Sequence, residues 1–121
     1  MANPFSYCEL HTDDPSKAKA FYAGLFDWKL SDTPFPGGIY TEIKTGDGIE
    51  GGLMKSMAPN VPSHWLTYIK VADLVASTAK AKQLGGQVLV DNQPIPEVGR
   101  FSVVADPTGA TIGLWEPLKK G

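Results

Sequence analysis

Residues 5–11, FSYCELH, alternate in a period of two, which places Tyr7, Glu9 and His11 on one face of a strand and Cys8, Leu10 and Thr12 on the other. Thr12-Asp13-Asp14-Pro15 then reads as a helix start, with an acidic cap and proline in the first turn. Ala18, Phe21, Tyr22 and Leu25 recur at helical spacing and predict one apolar face, with the helix ending near Asp27. A short strand over Trp28–Ser31 and a loop over Pro34–Gly38 lead to a strand over Gly38–Lys44, a Gly46-Asp47-Gly48 turn and a strand over Ile49–Met54. Ser56–Ser63, with Pro59, Asn60 and Pro62, reads as a linker. The order then repeats: strand Trp65–Val71, an Asp73-capped helix over Leu74–Leu84 closed by Gly85-Gly86, and strand Gln87–Val90. A loop over Pro94–Gly99, strand Arg100–Ala105, the turn Asp106-Pro107-Thr108-Gly109 and strand Ala110–Trp115 complete it.

Two βαβββ units are therefore predicted, and residues confirm the repeat. GIYTEIKTGDGIEGGLM (Gly38–Met54) and GRFSVVADPTGATIGLW (Gly99–Trp115) align without a gap, matching Gly38/Gly99, Gly48/Gly109, Gly52/Gly113 and Leu53/Leu114. The expected class is α+β, one domain over residues 1–121, with module 1 at about 5–57 and module 2 at about 63–117.

Alternation also sorts the candidate chemistry. One face gathers Tyr7, Glu9, Tyr40, Glu42, Glu50 and Met54 from the first module and Tyr68, Phe101 and Trp115 from the second. Aromatics with a few polar groups are how small-molecule sites are built, although the same aromatics could fill a core and the glutamates could sit at a solvent rim. Trp65, Thr67 and Ile69 are expected to face the second helix. His11 and His64, at strand ends, read as surface hydrogen-bonders, and Arg100 as the partner of a neighbouring acid.

Composition narrows the partners. With net charge −2 and no basic cluster beyond Lys119-Lys120, no nucleic acid is expected. No apolar run approaches the roughly 20 residues that span a bilayer, so no membrane is expected either. MANPFSYCEL lacks the pattern of a secretory signal, and Cys8 is the single cysteine, which leaves no internal disulfide and makes a cytoplasmic location the expectation.

Asp13–Trp28 (DDPSKAKAFYAGLFDW), Lys82–Gly86 (KQLGG) and Val98–Glu116 (VGRFSVVADPTGATIGLWE) together resemble the vicinal-oxygen-chelate superfamily of glyoxalase I, bleomycin-resistance proteins and extradiol dioxygenases. Pro62-Ser63-His64-Trp65-Leu66 and the tail are similar to its glyoxalase-like branch of unassigned function. The resemblance implies two βαβββ modules curled into a half-open barrel around a cavity, and a homodimer. Metal-dependent members hold one divalent ion with His or Glu from the first and last strand of each module, as a Lewis acid for two neighbouring substrate oxygens. The matching positions here are Tyr7, Gly52, Leu66 and Gly113, whereas His, Cys, Asp and Glu are the usual donors. No metal or other cofactor is therefore expected; a shift of the alignment toward Glu50 or Glu116 would reverse this.

Three functions fit. One is a metal-free pocket that binds or sequesters a cationic or aromatic small molecule. Another is a lyase or isomerase, with Glu9, Glu42 or Glu50 as general base and Tyr7 or Tyr68 donating to an oxyanion, or with a nonstandard metal site of His11 or His64 and a glutamate. The third is a fold kept for association with a partner.

Overall fold

The structure, a computed structural model, describes residues 2–56 and 60–118. The linker residues Met57, Ala58 and Pro59, and Lys119-Lys120, lie outside the described residues. Two compact units emerge, one over residues 7–66 and one over 67–118 together with 2–6.

The first unit holds most of β1 (Phe5–Thr12), then α1 (Pro15–Leu25), β2 (Lys29–Phe35), β3 (Gly38–Lys44) and β4 (Gly51–Lys55). Its strands lie in the order β1-β4-β3-β2, with β1 and β4 parallel and the other pairs antiparallel. Pro15 opens α1 at a position whose amide needs no partner, and Asp14 accepts from the Lys17 amide at 3.1 Å. Leu10, Ile43 and Leu53 form the core, covered by Ala18 and Tyr22 of α1 with Trp28 and Leu30. Only one stripe of the expected helical face is used. Phe21 and Leu25, on the edge of that stripe, stay 61% and 56% exposed.

The second unit repeats the plan. It holds the last part of β5 (His64–Lys70), then α2 (Leu74–Gln83), β6 (Gln87–Ile95), β7 (Gly99–Ala105) and β8 (Thr111–Pro117). The order is β5-β8-β7-β6, again with the first pair parallel. Asp73 caps α2 by accepting from the Ala76 amide, as expected. In the turn before β8, Asp106 accepts from the amides of Thr108 and Ala110 and from the Thr108 hydroxyl. The Thr108 bonds, hydroxyl first, hold its carboxyl below the usual range. Gly109 supplies the positive φ of 94° that closes this turn.

Two expectations are corrected. β2 and β6 run on through Pro34 and Pro94, which were expected to lie in loops. Both strands end their sheet, where a missing amide costs no ladder bond. Trp65, expected to face the second helix, meets α1 instead. Its indole N–H donates to the Tyr22 hydroxyl at 3.3 Å and its ring packs edge-on against Tyr22 and Trp28. That contact goes with the grouping of residues 64–66 in the first unit. Residues 2–6 group with the second, where the Pro4 carbonyl accepts from the Lys70 amide at 3.1 Å. Among the described residues no helix is long and apolar enough to cross a membrane.

Leu53 has no exposed surface. Leu53→Ala is expected to cost about 2–5 kcal/mol, read as a lower urea midpoint; a loss under about 0.5 kcal/mol would show that this core does not hold the first unit together.

Candidate functional site

The chemistry of the first unit gathers on the β-sheet face opposite α1. Alternation along β1 brings Tyr7, Glu9 and His11 to it, and β3 adds Tyr40 and Glu42. Between them runs β4, whose Gly52 lies opposite Glu9 on one side and Glu42 on the other. Gly52 leaves the gap that the tyrosines fill: a Cβ there would fall 1.9 Å from the Tyr40 hydroxyl and 2.5 Å from that of Tyr7.

The two hydroxyls meet over this gap at 2.6 Å. Tyr40 donates to Glu9 Oε2 at 2.6 Å, and Glu9 Oε1 lies 2.6 Å from His11 Nε2. A carboxylate only accepts, so His11 donates through Nε2. Tyr40 has one proton, committed to Glu9, so Tyr7 donates to Tyr40. Glu9 is only 9% exposed, and these bonds compensate its burial. The His11 ring lies 5.2 Å from that of His64, whose Nδ1–H donates to the Pro62 carbonyl at 2.8 Å. Met54, half-buried, stands opposite His11 in the β1–β4 register.

Burial pushes the Tyr7 hydroxyl up to about 12; its bond with Tyr40 is the next largest effect and opposes this, and the charges of Glu9, Glu42 and Glu50 add to the rise. Burial and the Glu9 charge drive Tyr40 further in the same direction. Negative charge is thus disfavoured here. Glu42 and Glu50 are themselves exposed, so of the three candidate carboxylates Glu9 alone is built into the network.

Tyr68, Phe101 and Trp115 lie in the second unit and repeat the glycine–aromatic device there. Tyr68 pairs with Gly113, where a Cβ would fall 2.2 Å from its ring, and Phe101 meets Tyr68 edge-on at 6.0 Å. The Trp115 ring covers Gly99 in the same way. Arg100 pairs with Glu116 at 3.0 Å, and Glu116 also accepts from the Leu74 amide at 2.8 Å, so this acid serves the start of α2. At the positions where the resemblance puts metal ligands, Gly52 and Gly113 have no side chain and the room for one is filled by tyrosine; Leu66 offers no donor. Among the described residues no group of three or more His, Cys, Asp or Glu is placed to hold a metal ion.

The residues underrated by the sequence reading are His11 and His64. The signal for His11 was present, since its spacing of two from Glu9 puts both on one strand face. Its meeting with His64 crosses the linker and has no local signature.

This architecture and the sequence agree on the class. Residues 5–114 match the model of the Glyoxalase/Bleomycin resistance protein/Dioxygenase superfamily, and the chain belongs to that family. It is 42% identical over 110 residues to a Mycobacterium tuberculosis protein named "Putative glyoxylase CFP32", covering 90% of this chain and 42% of that one. It is 26% identical over 129 residues to the Streptomyces peucetius anthracycline biosynthesis protein DnrV, covering 91% and 46%. The chain spans less than half the length of these relatives. Among solved structures it resembles hypothetical protein BH1468 of Bacillus halodurans (TM-score 0.74, 14% identity, 100% and 99% covered). It also resembles Mycobacterium tuberculosis methylmalonyl-CoA epimerase (TM-score 0.70, 14% identity, 95% and 88% covered). These likenesses support the α+β fold of two βαβββ modules.

Two measurements check the network. A methyl at Gly52 forces the tyrosines apart, so Gly52→Ala is expected to lose about 1–3 kcal/mol in urea unfolding, and an unchanged midpoint would refute the packing. For Tyr7, a folded-state pKa raised above the unfolded value means stability is full below about pH 10 and falls as pH rises toward 12. Tyr7→Phe should flatten part of that alkaline loss in melting curves; an identical slope would show that Tyr7 is not responsible.

Proposed function

We propose that this chain binds a small cationic, aromatic molecule through the Tyr7–Glu9–Tyr40 face of the first unit, without the family's metal. One observation carries the reading: Tyr7 and Tyr40 stand over the buried Glu9 carboxylate, which accepts from Tyr40 at 2.6 Å, with the charges of Glu42 and Glu50 also reaching Tyr7. Such a field attracts positive charge, and aromatic faces beside it add up to about 2 kcal/mol of cation–π attraction when desolvated. The same field opposes an oxyanion, so Tyr7 is poorly suited to the electrophilic role an acyl or enolate chemistry needs. Glycine at two of the four family ligand positions, each overlain by a tyrosine, supports the metal-free part. The relative DnrV is named as an anthracycline biosynthesis protein, which suits an aromatic ligand. We take the working form to be a cytoplasmic homodimer.

A single observation favours catalysis as a second reading: Glu9 is a buried carboxylate with both oxygens engaged, as a positioned general base is. Turnover of a 2-oxoaldehyde–thiol adduct, lost about a hundredfold or more in Glu9→Gln, would establish it; undiminished turnover in that variant would exclude Glu9 as the base.

The binding reading is tested by thermal unfolding with proflavine, a planar cation, and with 9-anthracenecarboxylate, a planar anion. Proflavine at about a hundred times its Kd should stabilise by about 2.7 kcal/mol, a rise of several degrees. No rise, or an equal rise with the anion, would refute it.

A further inference from the structure

We infer that the second unit carries a binding site of its own for a short aliphatic carboxylate, seated where β7 begins and β8 ends and held by Arg100. It uses none of the residues of the Tyr7–Glu9–Tyr40 face and takes a ligand of the opposite charge, so it stands whether or not that face binds a cation.

A cavity of about 260 Å³ opens there, lined by Gly99, Arg100, Glu116, Pro117 and Leu118. The backbone sets its shape. Gly99 faces Pro117 in the β7–β8 register, and a Cβ at Gly99 would fall 2.4 Å from the Glu116 carbonyl oxygen, so the two strands approach closely. Past the end of β8, the Leu118 amide donates to the Val98 carbonyl at 2.9 Å and ties the chain back to the β6–β7 turn. The apolar lining is the half-buried Pro117 and the exposed Leu118. Both are aliphatic and no ring lines the cavity, so a branched alkyl tail suits it and a planar aromatic one finds nothing to stack on. One directional polar group against an apolar wall is the usual make-up of a small-molecule site.

The charge at the opening is the guanidinium. Arg100 and Glu116 stand opposite each other in the register and pair at 3.0 Å, with 40% of the arginine side chain exposed against 15% of the glutamate. Glu116 accepts from the Leu74 amide through Oε1 and from Arg100 through Oε2, so its carboxylate is fixed from two sides and holds Arg100 in turn. A guanidinium carries five N–H donors in a planar fork, and this bond uses one, from Nη2. The exposed part of the fork is matched to a second carboxylate. Because Glu116 offsets the charge of Arg100 at a distance, recognition comes from directed hydrogen bonds at contact. The informative comparison is therefore a carboxylate against the neutral amide of the same shape.

The test is a proton–nitrogen NMR titration with isovalerate and with isovaleramide. Isovalerate is expected to move the amides of Gly99, Arg100 and Leu118 and to bind about tenfold more tightly than isovaleramide, the difference between a charge-assisted and a neutral hydrogen bond. In Arg100→Gln the two should bind alike. Equal affinities in the unaltered protein, or isovalerate shifts that avoid these three amides, would overturn the site. So would the same shifts with sodium chloride at matched ionic strength, since chloride has neither the fork-matching oxygens nor the alkyl tail. Should Arg100→Gln fail to fold, the affinity ratio and the location of the shifts in the unaltered protein decide.

Discussion

The side chain of Glu9 is the fixed point on which the first unit's chemistry depends. A carboxylate this far from water is tolerated only when donors surround it. Tyr40 and His11 supply them from β3 and from the same strand. Once those two are committed, the proton between Tyr7 and Tyr40 is left to come from Tyr7. One buried charge thus dictates the proton positions of three neighbours.

The space for this arrangement comes from residues without side chains. Gly52 and Gly113 are paired by the internal repeat, and each lies beneath a tyrosine: Tyr40 with Tyr7 in one unit, Tyr68 in the other. The outcomes differ because the neighbours differ. Beside Gly52 stands Glu9, and a polar chain forms; opposite Gly113 stands the buried Tyr68, edge-on to Phe101, and the result is aromatic packing. The same backbone device, used twice, has diverged into a polar centre and an apolar one.

Much of this was legible in the sequence. The caps at Asp14 and Asp73, the turn at Asp106–Gly109 and the alternation in β1 are local, and local chemistry determines them. The placement of Tyr7 and Glu9 beside Tyr40 followed from strand period and the repeat. What sequence did not disclose depends on contacts between distant segments. Trp65 turns to α1 because Tyr22 and Trp28 offer it rings and a hydroxyl, and His11 meets His64 across the linker. Strand lengths were misjudged at Pro34 and Pro94, since proline is a breaker inside a sheet and harmless at its margin, and only the strand order says which applies.

Those two prolines bear on how copies of the chain can meet. An outer strand with free amides invites another chain to dock alongside it and continue the ladder, the route by which β proteins polymerise. β2 and β6 each carry proline where such a ladder would need an amide, and β6 is further broken by register shifts around Val90. Growth of the sheet by accretion is therefore blocked at both of these margins.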